Sequence, residues 1–278
     1  MRPIAGFPHP TLPPFTLPHG PKHRPQKKAE TLTIATVNDD FSDKKSRLKA
    51  LDKVTDVMLV QEAKRTHVRK LMGKESGVHQ DRSNEDRAGS AVVWDRKDAR
   101  ATRRGFALAS SKGEGILNRW VTWVDLKVGD KKVRMVSVHR PRGYASKLWP
   151  QFDRNLRTFI KHTREAKIPL VIGMDANTES YGRFARSAGM KWHAPKGPTH
   201  GDKVIDGFIA SPGIKFDNLH RLKRGPSDHN PVVADITPPT PLGVNGWICL
   251  ECRHAPGPRV AGAVAGHPVL EGHRQARR

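Results

Sequence analysis

The stretch Pro226-Ser227-Asp228-His229-Asn230-Pro231 runs straight into Val232-Val233-Ala234-Asp235-Ile236. Proline fits poorly inside a central strand and holds the residue before it extended. Asp228 and His229 therefore read as a stiff loop feeding a buried strand. A carboxylate beside an imidazole suits metal binding and proton transfer. Taken alone, the hexapeptide also reads as a capped surface turn. The rest of the chain decides between the two.

Polar residues stand at the ends of other apolar runs in the same way. Asn38 closes Thr31–Asn38, Glu62 follows Asp56–Gln61, and His139 closes Lys132–His139. Asp175 closes Pro169–Asp175, with Asn177 two residues on, and Asp206 lies within Val204–Ala210. Side chains at strand ends can converge in space while the sheet supplies rigidity.

Further runs at Gly89–Trp94, Trp120–Val128 and Val232–Ile236 complete the strand signals. Val133-Arg-Met-Val-Ser-Val-His139 alternates and predicts a half-buried strand, whereas Val57-Met-Leu-Val60 is apolar throughout and predicts burial on both faces. Between them, Ser42-Asp43 can cap a helix carrying Leu48, Leu51 and Val54. Lys147 to Ala166 places Leu148, Phe152, Leu156, Phe159 and Ile160 at three- and four-residue steps, and a short helix is expected around Arg183–Ala188. Strands outnumber helices and both are spread along the chain, which points to packed sheets with helices outside.

Residues 1–30 contain eight prolines and a basic end, and read as a disordered arm. The body spans 31–237. A basic tail fills 238–278. No apolar run reaches the roughly 18 residues that would span a membrane, and the N-terminus lacks the apolar core of a secretory signal. With two cysteines there is no disulfide framework, so a cytoplasmic protein is expected.

The 278 residues carry 50 Lys and Arg against 27 Asp and Glu, a net charge of +23. The arm holds five basic and one acidic residue, the tail five and two. The body therefore keeps 40 basic against 24 acidic residues, a net charge of +16. Such a field favours a polyanion, nucleic acid above all. Lys64, Arg65, Arg119, Arg140, Arg142, Lys147 and Arg224 are candidate phosphate contacts. Arg140 and Arg142 lead because they follow the His139 strand. Trp120, Trp123, Trp149 and Trp192 are either core residues or platforms for bases.

These residue types suit phosphodiester hydrolysis, which needs charge neutralised on phosphate, a water activated and a leaving oxygen protonated. A hard divalent ion takes oxygen ligands, which suits Glu62 with Asn38 and Asp228. The ordered set Asn38, Gln61-Glu62, His139, Gly173-x-Asp175-x-Asn177, Ile205-Asp206 and Ser227-Asp228-His229-x-Pro231 resembles the endonuclease/exonuclease/phosphatase superfamily, whose members include pancreatic-type deoxyribonucleases, apurinic endonucleases and inositol polyphosphate phosphatases. The likeness runs from about Thr31 to Ile236.

The resemblance implies an α/β fold: a four-layer α/β/β/α sandwich of two packed mixed sheets with flanking helices. It also implies a Mg²⁺-dependent nuclease, with Mn²⁺ able to substitute and DNA the favoured substrate. Glu62 would be the principal metal ligand, with Asn38 and Asp228 beside it. Asp175 would orient or activate water, Asn177 would hold a phosphate oxygen, and His229 would contact the scissile phosphate or move a proton. Asp206 would orient His229, and His139 would be a second histidine at the leaving oxygen. His139 also reads as a satisfied histidine beside a core strand. The flanks of Asp175 and the Asp206-Gly207 pair depart from the superfamily's usual residues, leaving a smaller wall at Gly207. The alternatives are a phosphatase or phospholipase on small phosphoesters, or a nucleic-acid-binding protein with a disabled site. A monomer that makes no membrane contact is expected.

In the tail, Cys249-x2-Cys252-x14-His267-x5-His273 offers the ligand types of a structural zinc site. The other reading is a basic tail with two free thiols.

Overall fold

The computed structural model describes residues 30–40, 45–63, 68–80, 87, 89–225 and 227–239. The proline-rich arm, the Ser42-Asp43 cap, Lys64, Arg65 and the zinc candidates Cys249, Cys252, His267 and His273 lie outside them.

Among the described residues, twelve strands form two sheets of six. In chain order they are β1 (Leu32–Asn38), β2 (Val57–Gln61), β3 (Ser76–His79), β4 (Ser90–Asp95), β5 (Arg100–Ser110), β6 (Arg119–Val128), β7 (Lys131–His139), β8 (Leu170–Asp175), β9 (Lys191–His193), β10 (Asp206–Ala210), β11 (Lys215–Arg221) and β12 (Val232–Thr237). The first sheet runs β11-β12-β1-β2-β4-β3 and the second β5-β6-β7-β8-β10-β9. Each holds one parallel pair, β1 with β2 and β7 with β8, among antiparallel neighbours. A parallel pair needs a crossover. Helix α1 (Lys45–Asp52) lies within the first crossover and α3 (Trp149–Glu165) within the second; α2 (Val68–Leu71) and α4 (Tyr181–Ser187) are the other α-helices among the described residues.

Three apolar clusters make four layers of these elements. Leu32, Ile34, Leu59, Met135, Val171 and Phe208 meet between the sheets. Phe152, Leu156 and Ile160 of α3, with Tyr181 and Phe184 of α4, cover the outer face of the second sheet. Leu48 and Leu51 of α1 cover the first. Two packed mixed sheets with flanking helices are the expected sandwich. Val54 departs from expectation: it lies beyond the end of α1 and is 40% exposed.

The strand signals in the sequence match β1, β2, β4, β6, β7, β8, β10 and β12. The strands without a signal, β3, β5, β9 and β11, are the four sheet edges. An edge strand has one neighbour and a wet side, and charged side chains there discourage pairing with other chains. Arg-Ala-Thr-Arg-Arg in β5 and Lys-Phe-Asp-Asn-Leu-His-Arg in β11 carry that charge in place of an apolar pattern.

Alternation places the site. Facing the opposite sheet, β1 presents Leu32, Ile34, Thr36 and Asn38, and β2 presents Val57, Leu59 and Gln61. On the other side β7 presents Val133, Met135, Ser137 and His139, and β8 presents Val171, Gly173 and Asp175. The β1, β7 and β8 columns are apolar at one end, small or polar next, and end on Asn38, His139 and Asp175; the β2 column ends in the polar tier at Gln61, one residue before Glu62. In the polar tier Gln61 Nε2 donates to Ser137 Oγ at 3.0 Å and to the Gly173 carbonyl at 3.2 Å, while Ser137 Oγ donates to the Val60 carbonyl at 2.6 Å. The sheets approach so closely here that a Cβ on Gly173 would lie 2.6 Å from Leu59.

Candidate active site

Above that tier the carboxyl ends of both parallel pairs face each other, the place where open α/β sheets gather ligands. Register puts Asn38 opposite Gln61 in one sheet and His139 opposite Asp175 in the other. Asp206, antiparallel to β8, also pairs with Asp175. Asn38 joins the sheets: its Nδ2 donates to Glu62 Oε1 at 3.3 Å and to Asp175 Oδ2 at 3.1 Å. Glu62 leaves β2 with φ +53°, a left-handed conformation uncommon outside glycine, and its side chain is buried in the cluster. Arg142 donates to Glu62 Oε1 at 3.1 Å.

Glu62 Oε2 is buried and has no hydrogen-bond partner among the described residues. A buried carboxylate oxygen left bare is costly. Asp175 lies nearby, with His139 Nε2 at 3.3 Å from its Oδ2 and at 3.7 Å from Glu62 Oε1. A hard cation fits this donor set and would satisfy the bare oxygen. Asn38 Oδ1 is taken by the Asp40 amide at 2.9 Å, so the amide now meets the carboxylates through its nitrogen.

His229 is held by its other nitrogen: Nδ1 lies 2.9 Å from Asp206 Oδ2, and Nε2 lies 3.7 Å from Asp175 Oδ2. Burial alone would lower the His229 pKa. The bond to Asp206 and the charges of Asp206, Asp175 and Asp228 outweigh it and push it up to about 9. Asp175 is the reverse case. Burial would raise it, but the His139 hydrogen bond, the charges of His139 and His229 and the Asn177 amide hold it well below the usual carboxylate range. Asp206 is raised by burial and by the Asp175 charge.

Asn177, at φ +49°, sends its backbone amide to Asp175 Oδ1 at 2.8 Å and its Nδ2 to the Arg140 carbonyl at 2.9 Å. Its Nδ2 is also 3.0 Å from His139 Nε2. That nitrogen cannot accept from Asn177 and donate to Asp175 at once. The full charge on Asp175 makes the stronger partner and takes the proton.

Two expected placements change. Arg140 is buried, binds Asp153 through two nitrogens at 3.1 and 2.7 Å, and lies 3.9 Å from the Trp149 ring centroid and 5.0 Å from that of Tyr181. Its guanidinium anchors α3 and α4 rather than facing Glu62, because Asp153 supplies a buried counter-charge there. Asp228 is exposed at the rim, with Oδ2 3.2 Å from His200 Nε2 and Oδ1 3.8 Å from His229 Nε2. At Gly207 the expected gap is filled: a Cβ would lie 2.9 Å from the Trp192 ring.

Sequence reasoning missed Arg47. Fully buried, it donates to the Asn38 carbonyl at 3.1 Å and the His229 carbonyl at 2.9 Å, tying the β1 end to the loop before β12. Burial lowers its pKa to about 10 against the pull of four aspartates. An arginine next to Leu48 and one turn before Leu51, on the apolar side of a helix, was the available signal. Thr199 was missed too; its Oγ1 accepts from the Ile205 and Asp206 amides, both at 3.0 Å, and so sets where β10 begins. Arg119 feels the charges of Glu62, Asp175 and Arg142, and burial lowers its pKa.

The fold is the double-sheet sandwich found in solved endonuclease/exonuclease/phosphatase structures. Solved structures agree. An endonuclease/exonuclease/phosphatase from Bacteroides vulgatus aligns with a TM-score of 0.61 at 16% identity, covering 74% of this chain and 98% of that one. A mannosyl-6-phosphatase of Bacteroides thetaiotaomicron aligns at 0.60 and 16%, covering 74% and 99%. TDP2 of D. rerio, complexed with a single-strand DNA product, aligns at 0.58 and 14%, covering 74% and 99%. No protein-family model matches the sequence, and no curated protein does. No helix among the described residues is long and apolar enough to cross a membrane.

Proposed function

We propose that the protein is a divalent-metal-dependent phosphodiesterase that hydrolyses nucleic acid, with DNA the favoured substrate. The observation that carries this reading is the buried Glu62, whose Oε2 is bare among the described residues, clustered with His139 and Asp175, while Asp175 in turn clusters with Asp206 and His229. The basic body supports a polyanionic substrate.

Glu62 would hold Mg²⁺, and Asn38 would join it through Oδ1 once its amide turns over from the arrangement seen here. Such an ion, once bound, neutralises phosphate charge and eases departure of the leaving oxygen. Asp175 stays ionised and is a weak base, so it orients the attacking water rather than keeping its proton. His229 carries a proton at neutral pH, fixed by Asp206, and presents it to the phosphate or leaving oxygen. His139 stands as a second donor. Arg142, partly exposed and bonded to Glu62, would meet a phosphate oxygen on leaving it.

The test is cleavage of plasmid and single-stranded DNA in Mg²⁺, in Mn²⁺ and in EDTA, by wild type, Glu62→Ala and His229→Ala. Cleavage that needs metal and drops about 10²–10⁴-fold in both variants is expected. Turnover of inositol phosphates or sugar phosphates without DNA cleavage would replace this reading with a small-phosphoester one. Tight, salt-dependent DNA binding without cleavage in any metal would leave a binding protein.

A further inference from the structure

Beside the carboxylate cluster stands a second group of donors, His200, Asp228 and His229. Asp228 bridges the two histidines: Oδ2 is 3.2 Å from His200 Nε2 and Oδ1 is 3.8 Å from His229 Nε2. One donor atom from each of the three lies within 4.8 Å of the others. The imidazole centroids are 4.4 Å apart, with planes inclined at 39°. Main chain fixes this spacing, through a bridge pairing His200 with His229 and a bond from the Asn230 amide to the Thr199 carbonyl at 2.7 Å.

Donors held at about 2.0–2.1 Å from a tetrahedral ion stand roughly 3.3 Å from one another. The distances of 3.2 and 3.8 Å, one to each oxygen of the Asp228 carboxylate, are of that order, and a small turn of the carboxylate would bring one oxygen to both imidazoles. Two imidazoles and one carboxylate suit a borderline ion, whereas the oxygens of Glu62 and Asp175 suit a hard one. A third feature is independent of the cluster. Asp206 grips His229 Nδ1 at 2.9 Å, and a carboxylate in that position is what orients a metal-ligating histidine and makes it a better donor.

We propose that His200, Asp228 and His229 form a separate site for a borderline divalent ion of the zinc class, with a fourth position open to water or phosphate. An ion there displaces the proton from His229 Nε2, which is released to solvent, and takes that nitrogen from the scissile phosphate. Zinc-class ions therefore inhibit hydrolysis even in excess Mg²⁺. The binding stands apart from the nuclease reading; the inhibition rests on it.

The experiment uses the full-length, metal-free chain carrying Cys249→Ser and Cys252→Ser, so that tail thiols cannot contribute. Co²⁺ is titrated in excess Mg²⁺ and followed by visible absorption, and Zn²⁺ by calorimetry. One equivalent with a tetrahedral cobalt band is expected. His200→Ala should weaken binding by about 10–100-fold, and Glu62→Gln should leave it unchanged. His200→Gln, which keeps a hydrogen bond toward Asp228, should weaken it as His200→Ala does. The proposal is overturned if either His200 variant binds as tightly as the parent, or if Glu62→Gln abolishes the band; His200 and Asp228 are then a plain ion pair. In turnover assays the zinc midpoint, taken relative to each protein's own Mg²⁺ rate, should rise in the His200 variants by the same factor. Absence of turnover in every protein would count against the nuclease reading and leave the binding result standing.

Discussion

His229 Nδ1 lies 2.9 Å from Asp206 Oδ2, and 23 residues of chain separate the two. The contact exists because β10 starts at Asp206 beside Asp175, while the loop before β12 is pinned by Arg47 and by the Ser227 hydroxyl, which donates to the Asn38 carbonyl. Asp206 supplies a negative charge that fixes the tautomer of His229 and keeps its outer nitrogen protonated. Asp206→Asn keeps the shape and removes the charge. Catalytic turnover should fall by about 10–100-fold, and the alkaline limb of the pH–rate profile should move to lower pH. An unchanged profile would show that Asp206 does not set the state of His229.

The same pair predicts how stability depends on pH. His229 has its pKa raised from the usual 6.5 to about 9 in the folded protein. Its contribution is therefore complete below pH 6.5 and is lost as pH rises through about 9. Thermal melts in EDTA should show stability declining across that window, by at most about 3 kcal/mol. His229→Gln should flatten the slope. A wild-type protein equally stable at both ends would mean that the folded state does not hold the proton.

Glu62→Gln tests the bare oxygen. Without metal, that buried carboxylate crowds Asp175 and leaves Oε2 unsatisfied. Neutralising it should raise the melting temperature in EDTA, by about 1 kcal/mol of stability, while abolishing Mg²⁺ stabilisation and turnover. Calorimetric Mg²⁺ titration and melts read both effects. A lower melting temperature in EDTA would count against an oxygen held ready for a cation.

Arg47→Met removes two hydrogen bonds to buried carbonyls and should cost about 2–4 kcal/mol in denaturant unfolding. Arg47→Lys should recover little of it, because a single ammonium cannot serve both carbonyls with the geometry of a guanidinium fork. Full recovery by lysine would mean that charge alone matters at this position.

Central strands were legible because burial on two faces forces an apolar or alternating pattern, as in Val57–Val60 and Val133–His139. The four edge strands were not, since nothing requires an apolar pattern on a side open to water. Within the site, Asn38, Glu62, Asp175, Asp206 and His229 could be picked out because polar groups closing apolar runs are conspicuous. Arg140 follows His139 directly, yet its side chain meets Asp153 on a helix that the chain reaches only later. Arg47, Thr199 and His200 act through main-chain bonds or through partners far along the chain, and no short-range pattern encodes those.

The sequence alone determined two sheets with helices outside, a basic surface, and which polar groups end the inner strands, because alternation and charge are local properties of a chain. Only the tertiary structure decided that Asn38 bridges Glu62 to Asp175, that Arg142 rather than Arg140 meets the cluster, and that Asp228 turns to His200. Those outcomes depend on how one sheet registers against the other and on which buried charge finds a partner first, and packing settles both.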